Sequence, residues 1–193
     1  MKKVYVLVFD GLADWEAPLA LCEIRNSGKY EIVTVGFTGA SVTTMAGLKL
    51  VPDIALADIN PDDAAMLILP GGEMWEAGSP EGVGALLESF EVRTIPVAAI
   101  CGATFAVVRA GLTRGRRHTS NDKDYLAAVV PEYENGAFYT TELAVTDGAL
   151  ITASGVGSVE FAREITRYLG IYSEEQVGRW FELYKHGVWS GPI

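Results

Sequence analysis

Four short, strongly apolar runs recur along this chain, and segments with helical character separate them. The runs cover residues 3–9, 30–37, 64–70 and 94–100 and are rich in valine, isoleucine, leucine and alanine. Nearly continuous apolar strands of this kind are typical of a parallel sheet that helices cover on both faces. The order of elements therefore predicts an α/β fold with a mostly parallel sheet in its centre.

Helical spacing is clearest at 157–170, and an aromatic-rich last helix is predicted over 174–189. Two segments predict antiparallel additions to the sheet. Residues 41–53 read as a short hairpin, and residues 136–155 read as two strands joined by a tight turn. Because no linker, repeat or low-complexity segment interrupts this pattern, we predict a single domain over residues 1–193.

The net charge of the chain limits the classes of partner that it is expected to bind. It carries 25 acidic and 15 basic residues, a formal net charge of −10, which disfavours nucleic acid and anionic membranes. The apolar runs are too short to span a membrane, and residues 1–10 read as a first strand rather than a secretory signal. We therefore expect a cytoplasmic protein whose partner is a small molecule. A basic cluster at 109–118 is typical either of a small anionic ligand's site or of a solvated loop that offsets carboxylates.

Cysteine and histidine are scarce in this chain. The two cysteines, Cys22 and Cys101, and the two histidines, His118 and His186, lie far apart in sequence and show no metal-ligand spacing. We therefore expect no metal and no other cofactor. Cys22 is predicted to lie on the inward face of the first helix, where it would be packed and inert.

Cys101 stands at the junction between the strand at 94–100 and an apolar helix predicted over 102–110. Open α/β sheets bind ligands beyond the carboxyl ends of their strands. A nucleophile on a sharp strand-to-helix turn needs small neighbours, which Gly102 and Ala103 provide, and the helix start favours a thiolate. Cys101 is thus a candidate nucleophile, and the alternative is a buried structural cysteine.

Two further strand ends carry residues that suit the same chemistry. Glu16 follows the first strand and is a candidate general acid and base, or else an ordinary helix-start acid, a role that Asp14 could fill as well. Gly71 and Gly72 follow the run at 64–70, and their open N–H groups predict either an oxyanion hole or a plain turn.

These segments resemble the DJ-1/PfpI superfamily, which has the class I glutamine-amidotransferase-like fold. The similar stretches are DGLADWE (10–16), LPGGEMW (69–75), AAICGA (98–103), GLTRGRRHTSN (111–121) and LITASGVGSVEFAREI (150–165). The resemblance implies a flavodoxin-like three-layer α/β/α sandwich, usually dimeric, with a reactive cysteine in a nucleophile elbow. It also implies that Cys101 is the nucleophile, that Glu16 is its carboxyl partner, and that Gly72 and Gly102 offer backbone N–H groups.

The chain also departs from the pattern of this superfamily. Protease-like members carry a histidine directly after the elbow cysteine, where this chain has Gly102, and deglycase-like members carry one in the later loop, where it has Asn121. His118 lies three residues earlier. These departures make peptidase activity doubtful, because a Cys-His pair cannot be assumed and the sequence leaves open whether His118 reaches the site. We expect Gly71, His118, Asn121 and Trp75 as neighbours of the site.

We therefore expect a cysteine-dependent hydrolase, hydratase, or glyoxalase- or deglycase-like lyase that acts on a small electrophile through Cys101 and Glu16. The alternatives are a redox or stress-response protein in which Cys101 is oxidised, and a protein with a vestigial site. Trp15, Met74 and Trp75 are expected either to wall a small apolar pocket or to serve in ordinary packing or a dimer contact. A homodimer is expected from the resemblance and from the aromatic-rich tail at 179–189, unless that tail packs on its own domain.

Overall fold

The computed structural model describes residues 1–191 and 193, and a twisted sheet of seven strands forms its centre. The strands of the protein are β1 (Lys3–Leu7), β2 (Glu31–Gly36), β3 (Val42–Thr43), β4 (Lys49–Leu50), β5 (Ile54–Ala55), β6 (Ala64–Leu69), β7 (Val97–Ile100), β8 (Ala144–Asp147) and β9 (Leu150–Ala153). The order in the sheet is β5-β2-β1-β6-β7-β9-β8, and every neighbouring pair is parallel except β8 and β9.

Helices cover both faces of this sheet. They are α1 (Pro18–Ser27), α2 (Val83–Val92), α3 (Ala103–Arg109), α4 (Lys123–Val129), α5 (Ser158–Tyr168) and α6 (Glu174–His186). One apolar cluster joins the sheet to α2, α3 and α4, and a second joins the opposite face to α1, α5 and α6. The predicted three-layer sandwich is confirmed.

The central strands are buried because both of their faces meet helices. Every residue of β7 is buried, and so are four of the five residues of β1. The unbroken apolar runs in the sequence reflect this double coverage. The hairpin predicted over 41–53 forms as well: β3 and β4 pair antiparallel, apart from the main sheet.

The prediction that Cys22 is packed inside is wrong, because Cys22 is exposed. The buried face of α1 consists of Ala20, Glu23 and Ile24, and Cys22 projects from a different side of the helix. Glu23 takes an inward position because its carboxylate accepts hydrogen bonds from the Trp180 indole and from the Tyr172 hydroxyl. The burial of an acid, which composition does not reveal, sets the rotation of this helix.

The basic cluster at 109–118 is engaged with carboxylates and carbonyls. Arg116 forms an ion pair with Glu91 at 2.6 Å, and Arg117 forms one with Glu142. These two cations therefore offset nearby carboxylates, as expected of a solvated loop rather than of an anion site. Across residues 1–191, no helix has the length and apolar character that crossing a bilayer requires.

Candidate active site

The carboxyl ends of β1, β6 and β7 bring three chain segments together around Cys101. Cys101 directly follows β7 and has a φ of +59°, one of two non-glycine residues in the described chain with a positive φ. Its N–H donates to the carbonyl of Ala153 at 2.9 Å, which ties the turn to β9. The left-handed conformation turns the chain sharply into α3, and this is the geometry of a nucleophile elbow.

Glu16 is fully buried in the loop between β1 and α1, beside the sulfur of Cys101. Its Oε2 accepts a hydrogen bond of 2.5 Å from the N–H of Gly71. Its Oε1 is buried and has no hydrogen-bond partner among the described residues. Burial raises the pKa of Glu16 to about 7, although the Gly71 N–H and the Cys101 thiol act to lower it.

The pKa of the Cys101 thiol is also raised, chiefly by burial and then by the negative charge of Glu16. Hydrogen bonds from the Asn121 side chain and the Gly102 N–H act in the opposite direction. The partial positive charge at the start of α3 therefore lowers the pKa of the thiol by less than burial and the neighbouring carboxylate raise it. Because the two acids are adjacent, they titrate as a coupled pair, in which Glu16 gives up its proton before Cys101 does.

Asn121 is fixed between the sulfur and the backbone. Its Nδ2 donates to the Sγ of Cys101 at 3.2 Å, and its Oδ1 accepts from the N–H of Gly155 at 2.8 Å. Since a backbone N–H can only donate, the amide oxygen must face Gly155, and the amide nitrogen must face the sulfur. The carbonyl of Gly155 in turn accepts from the Trp15 indole at 3.0 Å.

The glycines around the sulfur allow a very close approach of the backbone. A Cβ on Gly71 would lie 2.6 Å from the Cβ of Cys101, and one on Gly155 would lie 2.9 Å from its Sγ. A Cβ on Gly102 would lie 2.9 Å from the carbonyl oxygen of Gly72. Any larger residue would push these segments apart. The N–H of Gly72 has no hydrogen-bond partner in the part of the chain that the structure describes.

His118 and Trp75 lie outside this arrangement. His118 is buried, and its ring nitrogens contact the carbonyl of Arg116 at 2.8 Å and the hydroxyl of Tyr133 at 2.6 Å. Burial lowers the pKa of His118, so a neutral ring is favoured. Trp75 is fully buried, and its indole donates to the Pro70 carbonyl at 2.9 Å. Both side chains support the surrounding structure, and neither lines the cleft.

The cleft above the sulfur is small, with a volume of about 110 Å³. It is lined by Ala13, Trp15, Glu16, Met45, Gly72, Glu73, Glu76, Cys101, Gly102, Phe105, Asn121 and Tyr125. Drug-sized ligands occupy pockets of roughly 300 Å³ or more, so this cleft suits a substrate of a few heavy atoms. Within the described residues, no cluster of three or more His, Cys, Asp or Glu side chains is arranged to hold a metal ion.

Sequence reasoning missed Gly155 altogether. Gly155 is the second residue after the end of β9, so it stands at a fourth strand end of the same sheet edge. That position was a usable signal, because ligand crevices collect residues from the carboxyl ends of several parallel strands. Asn121 was expected only as a neighbour, and its two-sided anchoring depends on Gly155.

The fold, the elbow cysteine and the buried glutamate together indicate one class of protein, and comparisons with known proteins identify the same class. The chain belongs to the DJ-1/PfpI family, whose sequence model matches residues 2–168. It is 35% identical to the uncharacterized protease YoaZ of Bacillus subtilis over 95% of this chain and 91% of that protein. It is 28% identical to the deglycase TK1284 of Thermococcus kodakarensis, over 86% of this chain and 99% of the relative.

Solved structures with this fold include two DJ-1 relatives from bacteria. The DJ-1 superfamily protein Atu0886 from Agrobacterium tumefaciens superposes with a TM-score of 0.87 at 33% identity, and the match covers 96% of this chain and 100% of that one. The thiJ/pfpI family protein from Bacillus anthracis gives a TM-score of 0.86 at 36% identity, covering 97% and 92% of the two chains. Both relatives share the architecture over almost the whole length.

Proposed function

We propose that this protein is a cysteine-dependent enzyme of the DJ-1/PfpI type. It acts as a hydrolase, hydratase, or glyoxalase- or deglycase-like lyase on a small electrophilic carbon. Cys101 is the nucleophile, and Glu16 is the general acid and base. The observation that carries this proposal is the buried Oε1 of Glu16, which has no partner among the described residues and lies beside the sulfur.

The two raised pKa values indicate which of the two groups, Glu16 or Cys101, loses its proton first. Because the pKa of Glu16 is about 7 and that of Cys101 is raised, Glu16 loses its proton first as the pH rises. The ionised carboxylate then takes the thiol proton as the sulfur attacks the electrophilic carbon. The protonated Glu16 returns this proton to the substrate in a later step. A buried carboxyl with a pKa near 7 is well matched to both tasks at neutral pH.

The negative charge that develops on a carbonyl substrate needs donors next to the sulfur. The N–H groups of Gly72 and Gly102 are the candidates, because both glycines line the cleft. The Gly72 N–H has no partner among the described residues, and the Gly102 N–H faces the sulfur. Gly71 has a different role, since its N–H already binds Oε2 of Glu16 and so holds the carboxyl in place. Preorganised N–H donors of this kind stabilise an oxyanion without further rearrangement.

Peptide hydrolysis is the less well supported reaction. Two relatives are named proteases and two are named deglycases. Of the described residues that line the cleft, Glu16 is the acid that interacts directly with Cys101 and can exchange a proton with it. The lining includes no histidine. A cleft of about 110 Å³ also leaves little room for a polypeptide segment. A small carbonyl compound, amide or isonitrile fits better.

Turnover of methylglyoxal, simple amides and isonitriles by the wild type and by Cys101→Ala tests the proposal. Activity in the wild type that disappears in Cys101→Ala supports it, and Glu16→Gln should lose about two orders of magnitude. Asp14→Asn is the matched control, because the Asp14 side chain accepts from the N–H of Ala46 at 2.7 Å and does not line the cleft. No turnover, together with selective conversion of Cys101 to the sulfinate by mild peroxide, would favour a redox role instead.

A further inference from the structure

The charged residues that line the cleft above Cys101 are all acidic. Glu16 lies at its floor, and Glu73 and Glu76 lie exposed at its mouth. Among the described lining residues there is no lysine or arginine. A narrow cleft lined by one sign of charge concentrates ligands of the opposite sign and repels those of its own.

Two exposed aromatic rings share this mouth with the carboxylates. Trp15 is 53% exposed and Tyr125 is 40% exposed, and both line the cleft. Each ring is held in place: the Trp15 indole donates to the carbonyl of Gly155, and the Tyr125 hydroxyl donates to Oε1 of Glu76 at 2.5 Å. Fixed aromatic faces beside carboxylates are the combination that binds organic cations.

The neighbouring cations are turned away from the mouth. The Arg109 guanidinium donates to the backbone carbonyls of Trp75, Glu76 and Val129. The Lys123 ammonium lies next to Gly136, and this lysine lines a separate groove. Neither side chain therefore compensates the acids inside the cleft. The floor adds a further acceptor, the buried Oε1 of Glu16, which has no hydrogen-bond partner among the described residues.

We propose that this cleft selects small electrophiles that carry a positive group, such as an ammonium or amidinium, next to the reacting carbon, and that it rejects anionic ones. The reacting carbon enters beside the Cys101 sulfur, and the cationic group stays at the mouth between the two carboxylates and the two rings. This inference rests on the proposed function, because it names the substrate class for the same cysteine.

Thiol-specific methanethiosulfonate reagents of different charge test this selectivity without any turnover. The reagents are the trimethylammonium-ethyl, methyl and sulfonato-ethyl forms, which all transfer their alkylthio group to a thiolate and release methanesulfinate. The Cys101 rate is measured in a Cys22→Ser protein. The exposed Cys22, measured in a Cys101→Ser protein, is the reference, because both thiols share the net charge of the chain.

We expect the ratio of cationic to anionic rates at Cys101 to exceed the ratio at Cys22 by about tenfold or more, as two or three unit charges within a few ångströms imply. The double variant Glu73→Gln, Glu76→Gln should reduce this excess several-fold, and Glu73→Gln alone should reduce it in part while sparing the Tyr125 contact. Glu88→Gln, an exposed acid on α2 outside the cleft, should leave it unchanged.

Equal ratios at the two cysteines, or faster reaction of Cys101 with the anionic reagent, would overturn the inference. So would an excess that survives the double variant. A separate turnover assay distinguishes failure of this inference from failure of the proposed function. Cation selectivity in a protein without turnover contradicts only the enzymatic proposal, whereas turnover without selectivity contradicts only the substrate class.

Discussion

The side-chain amide of Asn121 donates a hydrogen bond of 3.2 Å to the sulfur of Cys101, while its oxygen accepts the N–H of Gly155 at 2.8 Å. The chain thus places a fixed neutral donor beside the sulfur. A neutral amide can stabilise a thiolate, but it cannot exchange a proton with it. We therefore propose that Glu16 carries out the proton transfer.

Removal of this donor should make the thiolate harder to form. In Asn121→Ala we expect the pKa of Cys101 to rise and its alkylation by iodoacetamide at pH 7 to slow by about three- to tenfold. Asn121→Asp should slow it further, because the new carboxylate keeps the acceptor for Gly155 but adds a negative charge beside the sulfur. An aspartate variant that reacts as fast as the wild type would show that the amide does not act on the sulfur.

Gly155 should tolerate no side chain. A Cβ there would lie 2.9 Å from the Cys101 sulfur and 3.2 Å from Oε1 of Glu16. We expect Gly155→Ala to lower the free energy of unfolding by about 1–3 kcal/mol and to reduce Cys101 labelling. Gly39→Ala is the matched control, since no atom lies within 4 Å of the position that its new methyl group would take. Equal stability and labelling in the two variants would contradict this close packing.

The buried carboxyl of Glu16 should make stability depend on pH. Its pKa is about 7 in the native state and 4.5 for the free group, so the native state keeps a proton that the unfolded chain releases between these values. The free energy of unfolding should therefore fall as the pH rises through this window, by about 3 kcal/mol from this group. Between pH 5 and pH 7.5, urea unfolding should show a change in stability that is less favourable in the wild type than in Glu16→Gln by most of this amount, since groups such as His118 contribute equally in both proteins. Equal losses would contradict the burial of an ionisable Glu16.

We propose that the protein is a homodimer in solution. The inner side of α6 buries Trp180, whose indole binds Glu23 of α1, but Tyr184 and Trp189 are exposed. Met45 and Leu48 of the β3–β4 hairpin are exposed as well. Such apolar side chains are typical of an interface with another chain. Light scattering at micromolar concentration should give about twice the single-chain mass of 20.7 kDa. A mass of one chain would contradict the proposal.

The fold and the principal pair of the site were predictable from local signals. Unbroken apolar runs mark strands with two covered faces, and small residues after β7 mark a sharp turn that exposes Cys101. Since parallel strands end at one edge, Glu16 and the two glycines at 71 and 72 had to come near that cysteine. The structure brings these residues together.

The remaining features depend on contacts between segments distant in sequence. Cys22 is outside because Glu23, bound by an indole 157 residues away, takes the inner position. The His118 ring faces Tyr133 and not the sulfur, and its position three residues before Asn121 in the sequence does not reveal this orientation. The raised pKa of Cys101 likewise results chiefly from burial, which raises the pKa more than the helix start visible in the sequence lowers it.

The apparent pKa of Cys101 in Glu16→Gln tests most directly whether Glu16 and Cys101 share a proton. The pKa is read from the pH dependence of iodoacetamide labelling, with the exposed Cys22 as the internal reference and Asp14→Asn as the control variant. Because the charge of Glu16 helps to raise the pKa of the thiol, the account predicts a lower pKa for Cys101 in Glu16→Gln, with Cys22 unchanged and Asp14→Asn like the wild type. An unchanged pKa of Cys101 in Glu16→Gln, or an equal shift in Asp14→Asn, would contradict it.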